Sequence, residues 1–217
     1  MFQFRWMGPG RALTLASLLL LPLIAFAASP TSAGFEQFTE REPLTVEQVH
    51  ELQAALLQRA PKELARLEQA KTPDERFYAL PRAAFAAFVL GRYDEARGYA
   101  NECVAAADRY QGNWNRGNAI HDGHMVLGLV ALHDGDAEVA REELHLAGTT
   151  PGSPQLNSFG PSMQLAKALV ERGYVEDVLA YFTQCRRFWA LGGPWLDAWE
   201  AKVHDGAVPN FMMHAYR

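Results

Sequence analysis

Gly91-Arg92-Tyr93-Asp94-Glu95-Ala96, Gly135-Asp136-Ala137-Glu138-Val139-Ala140 and Gly173-Tyr174-Val175-Glu176-Asp177-Val178 are the stretches that decide the fold. Each joins two segments of helical periodicity. In each, Ala or Val follows the glycine by five residues. A glycine takes a positive φ without steric penalty, so it can end the first helix of a pair. The smaller residue lets the second helix lie close to the first. The turn glycines are 44 and then 38 residues apart, which makes the chain an array of helical hairpins with insertions.

Outward from these turns the chain reads as all-α. Thr45-Val46-Glu47-Gln48 has the form of a capping box, in which the Thr hydroxyl and the Gln amide satisfy early backbone N–H groups. Val46, Val49, Leu52, Leu56 and Leu57 follow at helical spacing. Pro61 reads as the start of a further helix carrying Leu64 and Leu67. Thr72-Pro73-Asp74-Glu75 is a second start signal, with a cap, a Pro and two acids. Its helix runs through Phe77, Leu80, Ala84, Phe85 and Phe88 towards Gly91. Further helices are expected over 93–110, within 114–134, and over 136–147, 161–172, 174–190 and 194–204. No stretch alternates as strands with hairpin turns would.

The hairpin pattern resembles the tetratricopeptide repeat. Leu127-Gly128, the Gly135-Asp136 turn, Ala140 and Ala147 match that family best. Gly91 to Ala96, with Ala100 and Cys103, gives a second unit, in which Ala83-Ala84 stands for Leu-Gly. Leu165-Ala166, Gly173, Val178, Phe182 and Cys185 give a weaker third. The resemblance covers 77–190 and implies a short right-handed solenoid of helical hairpins with capping helices. The units fall at 77–110, 118–150 and 160–190, within one domain over 45–217 whose C-terminal cap is 191–217. In this family the first helix of each pair lines a concave groove that holds a partner's peptide or helix. Carried over by distance from each turn glycine, the groove comprises Tyr78, Phe85 and Phe88, then Asp122, Met125 and Leu129, then Met163 and Lys167. Phe85, Met125 and Met163 are expected to share one concavity.

The N-terminus is set aside before fold reasoning. Arg5 and Arg11 precede an apolar run over 12–26 that contains Pro22, and Ala25-Phe26-Ala27 offers small residues at a cleavage position. We read 1–28 as a signal peptide, with an uncleaved anchor as the alternative, and 29–44 as an exposed lead-in. The run is short for a membrane span of about 20 residues. No Cys follows it, and no Arg pair precedes it. Cleavage makes the protein periplasmic or secreted, with no stable membrane anchor. Removing two of 20 basic residues leaves 18 against 25 acids, a net charge of −7. No basic block remains, so nucleic acid is not expected as a partner.

Two polar segments could carry chemistry. Over 114–125, His121 and His124 stand one helical turn apart, a spacing that could hold a metal. A closed site needs more ligands, and only Asp122 is near in sequence. We expect hydrogen-bonded helix residues and no metal or other cofactor. Gly117, Gly123 and Gly128 inside one helix each cost about 0.8–1 kcal/mol. They imply close backbone packing or a later helix start. The loop over 149–161 is punctuated by Pro and Gly, and we expect Leu156 and Phe159 to tie it down. Ser153 and Ser158 lack the Gly-x-Ser-x-Gly setting and an acid to orient a His. No nucleophile, base and orienter assemble, so no enzyme is expected. Asn118, His121, His124 and Asn157 remain as a polar pocket where loop meets helix. That gives a second function, small-ligand or metal binding, beside the first, an exported scaffold for a protein or peptide partner.

Cys103 and Cys185 each lie 12 residues past a turn glycine, in the first and third units. Two repeats apart, they exceed the roughly 7 Å between Cα atoms that a disulfide allows. Two separate buried thiols are expected. Phe188, Trp189, Trp195 and Trp199 should seal the C-terminal end.

Overall fold

A computed structural model describes residues 44–215. The expected signal peptide and most of the lead-in lie outside the described residues. Those described are helical, with no strand among them. The capping box at Thr45 forms as expected, and α1 runs Val46–Glu68. Pro61 does not restart the chain; it sits inside α1. An interior proline removes one intrahelical hydrogen bond and costs about 3 kcal/mol. Burial of Ala60, Leu64 and Leu67 against the neighbouring helix offsets that cost. The Thr72 capping box opens α2, Pro73–Val89. Then follow α3, Tyr93–Ala107, with a 3₁₀ turn at Asp108–Tyr110, and α4, Arg116–His133. Next are α5, Ala137–Gly148, and α6, Pro154–Phe159. The last are α7, Gln164–Val170, α8, Val175–Cys185, and α9, Gly193–His204.

The three turns are built alike. Gly91, Gly135 and Gly173 have φ of +73°, +85° and +86°. The next residue's N–H reaches back five positions: Arg92 to the Ala87 carbonyl, Asp136 to Ala131, and Tyr174 to Leu169, at 2.9, 2.9 and 3.1 Å. This 6→1 bond satisfies a carbonyl that the helix end would otherwise leave unpaired. Gly206 repeats the turn after α9, with φ +77° and a 2.9 Å bond from Ala207 N–H to the Lys202 carbonyl. No sequence signal had singled it out. The described residues beyond it form no further α-helix; they fold back through Phe211, which is 1% exposed.

Packing follows the small residues. Helix α2 lies against α1, α3 and α4, while α4 also meets α5 and α7, and α5 meets α8. Ala83, Ala84, Ala87, Ala96, Ala100 and Ala140 are fully buried at these crossings. Gly128 is there for close approach: a Cβ would lie 2.2 Å from Leu165 Cδ2. One core cluster, rich in alanine, joins α1 to α4, and a second, richer in aromatics, joins α4 to α9. Cys103 belongs to the first and Cys185 to the second; both are free and buried. At the C-terminal end Trp199 packs on Phe182, Trp189 and Phe211, with ring centroids 6.2, 5.9 and 5.1 Å away. No helix among the described residues is long and apolar enough to cross a membrane.

Candidate functional site

The polar row comes from α4. Asn115, Asn118, Asp122 and Met125 are spaced three, four and three apart, which puts them on one helical face. That face looks into a cleft of about 410 Å³, bounded by α1, α2, α4, α6 and the segment after α6. Tyr78, Phe85 and Met125 form its apolar wall, and Phe159 stands at its edge, 66% exposed.

The loop over 149–160 closes one side because it can touch α4 backbone to backbone. A Cβ on Gly117 would lie 1.8 Å from the Gly152 carbonyl oxygen, so only glycine fits there. The Thr150 hydroxyl donates to the Gly117 carbonyl at 2.8 Å. Ser153 caps α6 through the Leu156 N–H, and its own hydroxyl donates to Asn118 Oδ1 at 2.5 Å. Asn118 Nδ2 then donates to Asn115 Oδ1 at 3.0 Å and to Gln155 Oε1 at 3.3 Å. These bonds fix both asparagine amides. They leave Asn115 Nδ2 buried without a partner among the described residues, on a residue 5% exposed that lines the cleft. A buried donor left unmade costs about 1–3 kcal/mol.

His121 is fully buried one turn below Asn118. Its Nδ1 lies 2.7 Å from Asp122 Oδ1, and its Nε2 lies 3.0 Å from the Tyr181 hydroxyl. A carboxylate only accepts, so Nδ1 donates to Asp122. Tyr181, itself buried, also reaches the Ser162 carbonyl at 3.0 Å. The chain Tyr181–His121 therefore anchors Asp122 from behind and leaves its side chain 41% exposed towards the cleft.

The two sequence-derived residue sets are thus partly one site. Tyr78, Phe85, Asp122 and Met125 from the groove, and Asn118 and His121 from the polar pocket, all line the cleft. The others do not. Phe88 stacks on Phe85 at 6.5 Å and turns an edge to Tyr93 at 5.6 Å. Leu129 and Met163 are core residues, 9% and 0% exposed. Met163 caps the start of α7, so it never reaches a shared concavity with Phe85 and Met125. Met125 itself is only 3% exposed, a floor residue where exposed surface was expected. Lys167 pairs with Glu171 on the surface. His124 points to α5, where Nδ1 meets Glu143 Oε2 at 2.7 Å. Asn157 accepts from the Ala190 N–H at 3.0 Å and faces away. Phe159 does not tie the loop down; of the two apolar residues only Leu156, 5% exposed, is buried. Position relative to a turn fixes the helical face, but not which neighbour covers it.

Sequence reasoning missed Asn115, Ser153 and Gln155 as partners of Asn118, and Arg59 and Glu63 as lining from α1. Asn115 had a signal, one helical turn before Asn118 on the same face. The α1 residues had none, because their approach is long-range. Among the described residues no three His, Cys, Asp or Glu side chains gather as metal ligands. Burial pushes the Cys103 thiol well above its ordinary range, which makes it a poor nucleophile. Comparison with protein families, with curated proteins and with solved structures finds no match.

Proposed function

We propose that this chain is an exported binding protein without enzymatic activity, whose cleft holds a short segment of a partner protein. On this reading 45–217 form one domain, a short right-handed solenoid of tetratricopeptide-like hairpins. Three turns of matching conformation support that architecture. So does contact between alternate helices, α2 with α4 and α4 with α7. The observation that carries the function is the pairing of walls in one cleft: Tyr78 and Phe85 on one side, and the amide row Asn115, Asn118 and Gln155 on the other. Aromatic surface takes apolar side chains, and amides match a peptide backbone, which offers both donors and acceptors.

The test is affinity capture from a periplasmic or secreted fraction with wild type and with Phe159→Glu. Phe159 is exposed at the cleft edge, so the change leaves the fold intact. The variant is expected to melt like wild type and to lose the captured partner. Equal capture by both proteins removes the cleft as the binding surface.

The Asn115 Nδ2 donor, unpartnered among the described residues, also favours a second reading, a small ligand bearing an acceptor, since the cleft volume suits one. Native mass spectrometry of the exported protein tests it, through a retained mass that denaturation releases.

A further inference from the structure

We infer that the segment entering this cleft carries a lysine or arginine, whose charged head meets Asp122 and whose own carbonyl meets the Asn115 amide. The inference rests on the peptide-binding reading above. Two independent features point to it. Asp122 is a carboxylate held by a buried histidine through one oxygen, Oδ1, at 2.7 Å; its side chain lines the cleft and is 41% exposed. Asn115 Nδ2 is a donor with no partner among the described residues, on a residue 5% exposed in the same lining. A ligand that satisfies both must present an acceptor at one end and a cationic donor at the other.

The spacing selects the ligand. Asn115, at the N-cap of α4 with helical backbone angles, and Asp122 are seven residues apart, which is two turns and about 10.5 Å along one face. From its carbonyl to its charged head an extended lysine or arginine spans roughly 8 Å, and a hydrogen bond at each end closes the remainder obliquely. Glutamine is too short. The stem crosses the apolar wall, where Met125 and Phe85 line the cleft. Long basic side chains bury their stems in this way while keeping the head on a polar partner. Glu63 also lines the cleft, half-buried and without an ion pair among the described residues, and adds a second negative charge. Arg59 and Arg82 line it from exposed positions, so the polarity is acidic within and basic outside. Acidic residues flanking the central basic one suit that arrangement.

The experiment titrates the full mature chain with three blocked tripeptides, leucine–arginine–phenylalanine and its glutamine and glutamate counterparts, and with benzamidine as a small cationic probe. Binding is read by calorimetry and by the Asn115 side-chain amide resonance. The arginine peptide is expected to bind at least tenfold more tightly than the glutamine peptide and to shift that resonance. Asp122→Asn, isosteric and checked for folding by circular dichroism, should abolish the preference. Glu63→Gln should weaken it without that isostere's risk to His121. Equal binding of the arginine and glutamine peptides, or a preference that survives Asp122→Asn, overturns the cation site and leaves the peptide reading standing. Binding of benzamidine alone, dependent on Asp122, keeps the cation site and overturns the peptide as its source. No binding by any probe overturns both.

Discussion

Gly117→Ala should destabilise the protein, although alanine is the better helix former. Inside α4 the change gains about 1 kcal/mol of helix propensity. Against this, the new Cβ would sit 1.8 Å from the Gly152 carbonyl oxygen, where ordinary contact needs about 3.5 Å. The obstacle is backbone, not the end of a flexible side chain. The loop must retreat by more than 1.5 Å, roughly. Retreat breaks the Thr150–Gly117 bond and strains the bonds from Asn118 to Ser153 and Gln155. At about 1 kcal/mol each, with part of the roughly 2 kcal/mol from Leu156 burial, the loss is about 4 kcal/mol. The net is about 3 kcal/mol, which for a domain of this size lowers the melting temperature by about 6–12 °C. Thermal melting followed by circular dichroism reads it. A melting temperature unchanged or raised refutes the backbone contact that closes the cleft.

The contrasting glycine is Gly98, inside α3 with open space where a Cβ would go; Gly98→Ala should stabilise by up to about 1 kcal/mol, read on the same melts. Met125→Glu buries a carboxylate at a site 3% exposed, and the melting temperature should fall by more than about 10 °C; an unchanged melt returns Met125 to a wet surface. Thiol titration without reductant should find no reactive thiol in the native protein and two after denaturation, since Cys103 and Cys185 are free and buried; none after denaturation would mean a disulfide. Burial also raises the pKa of both thiols, so the unfolded chain loses those protons first as pH rises. Stability is then full below about pH 8.5 and declines above it. Replacing both cysteines with alanine should flatten that decline in urea midpoints, and an identical slope in both proteins contradicts it.

The hairpins were legible because their determinants are local. A Thr-Pro-Asp-Glu start and a glycine stop are read within one or two helical turns; the Thr45 capping box formed as expected, and the Thr72 start signal opened a helix through a capping box of its own. Pro61 misled for the same reason, since burial of Ala60 and Leu64 is tertiary and overrode a local start signal. The glycines of α4 were legible as close packing, and Gly117 and Gly128 confirm it, but not against which neighbours. The candidate site shows where local reading stops. His121 and His124, one turn apart, were read as a pair, yet they point to α8 and α5. Asn157 is two residues from Gln155, and only Gln155 reaches Asn118. Helical phase selects a face; what covers that face depends on contacts more than 30 residues away in sequence, such as Asn118 with Gln155.

The most direct test of the cleft as the binding surface is site-specific photo-crosslinking in the full chain. A benzophenone amino acid replaces Phe159 at the cleft edge in one protein and Leu191 in another. Both positions are well exposed, 66% and 64%, and only the first lines the cleft. The account predicts a crosslinked partner from position 159, competed away by the arginine tripeptide, and none from position 191. Equal yield at both positions, or a partner captured only at 191, would contradict it.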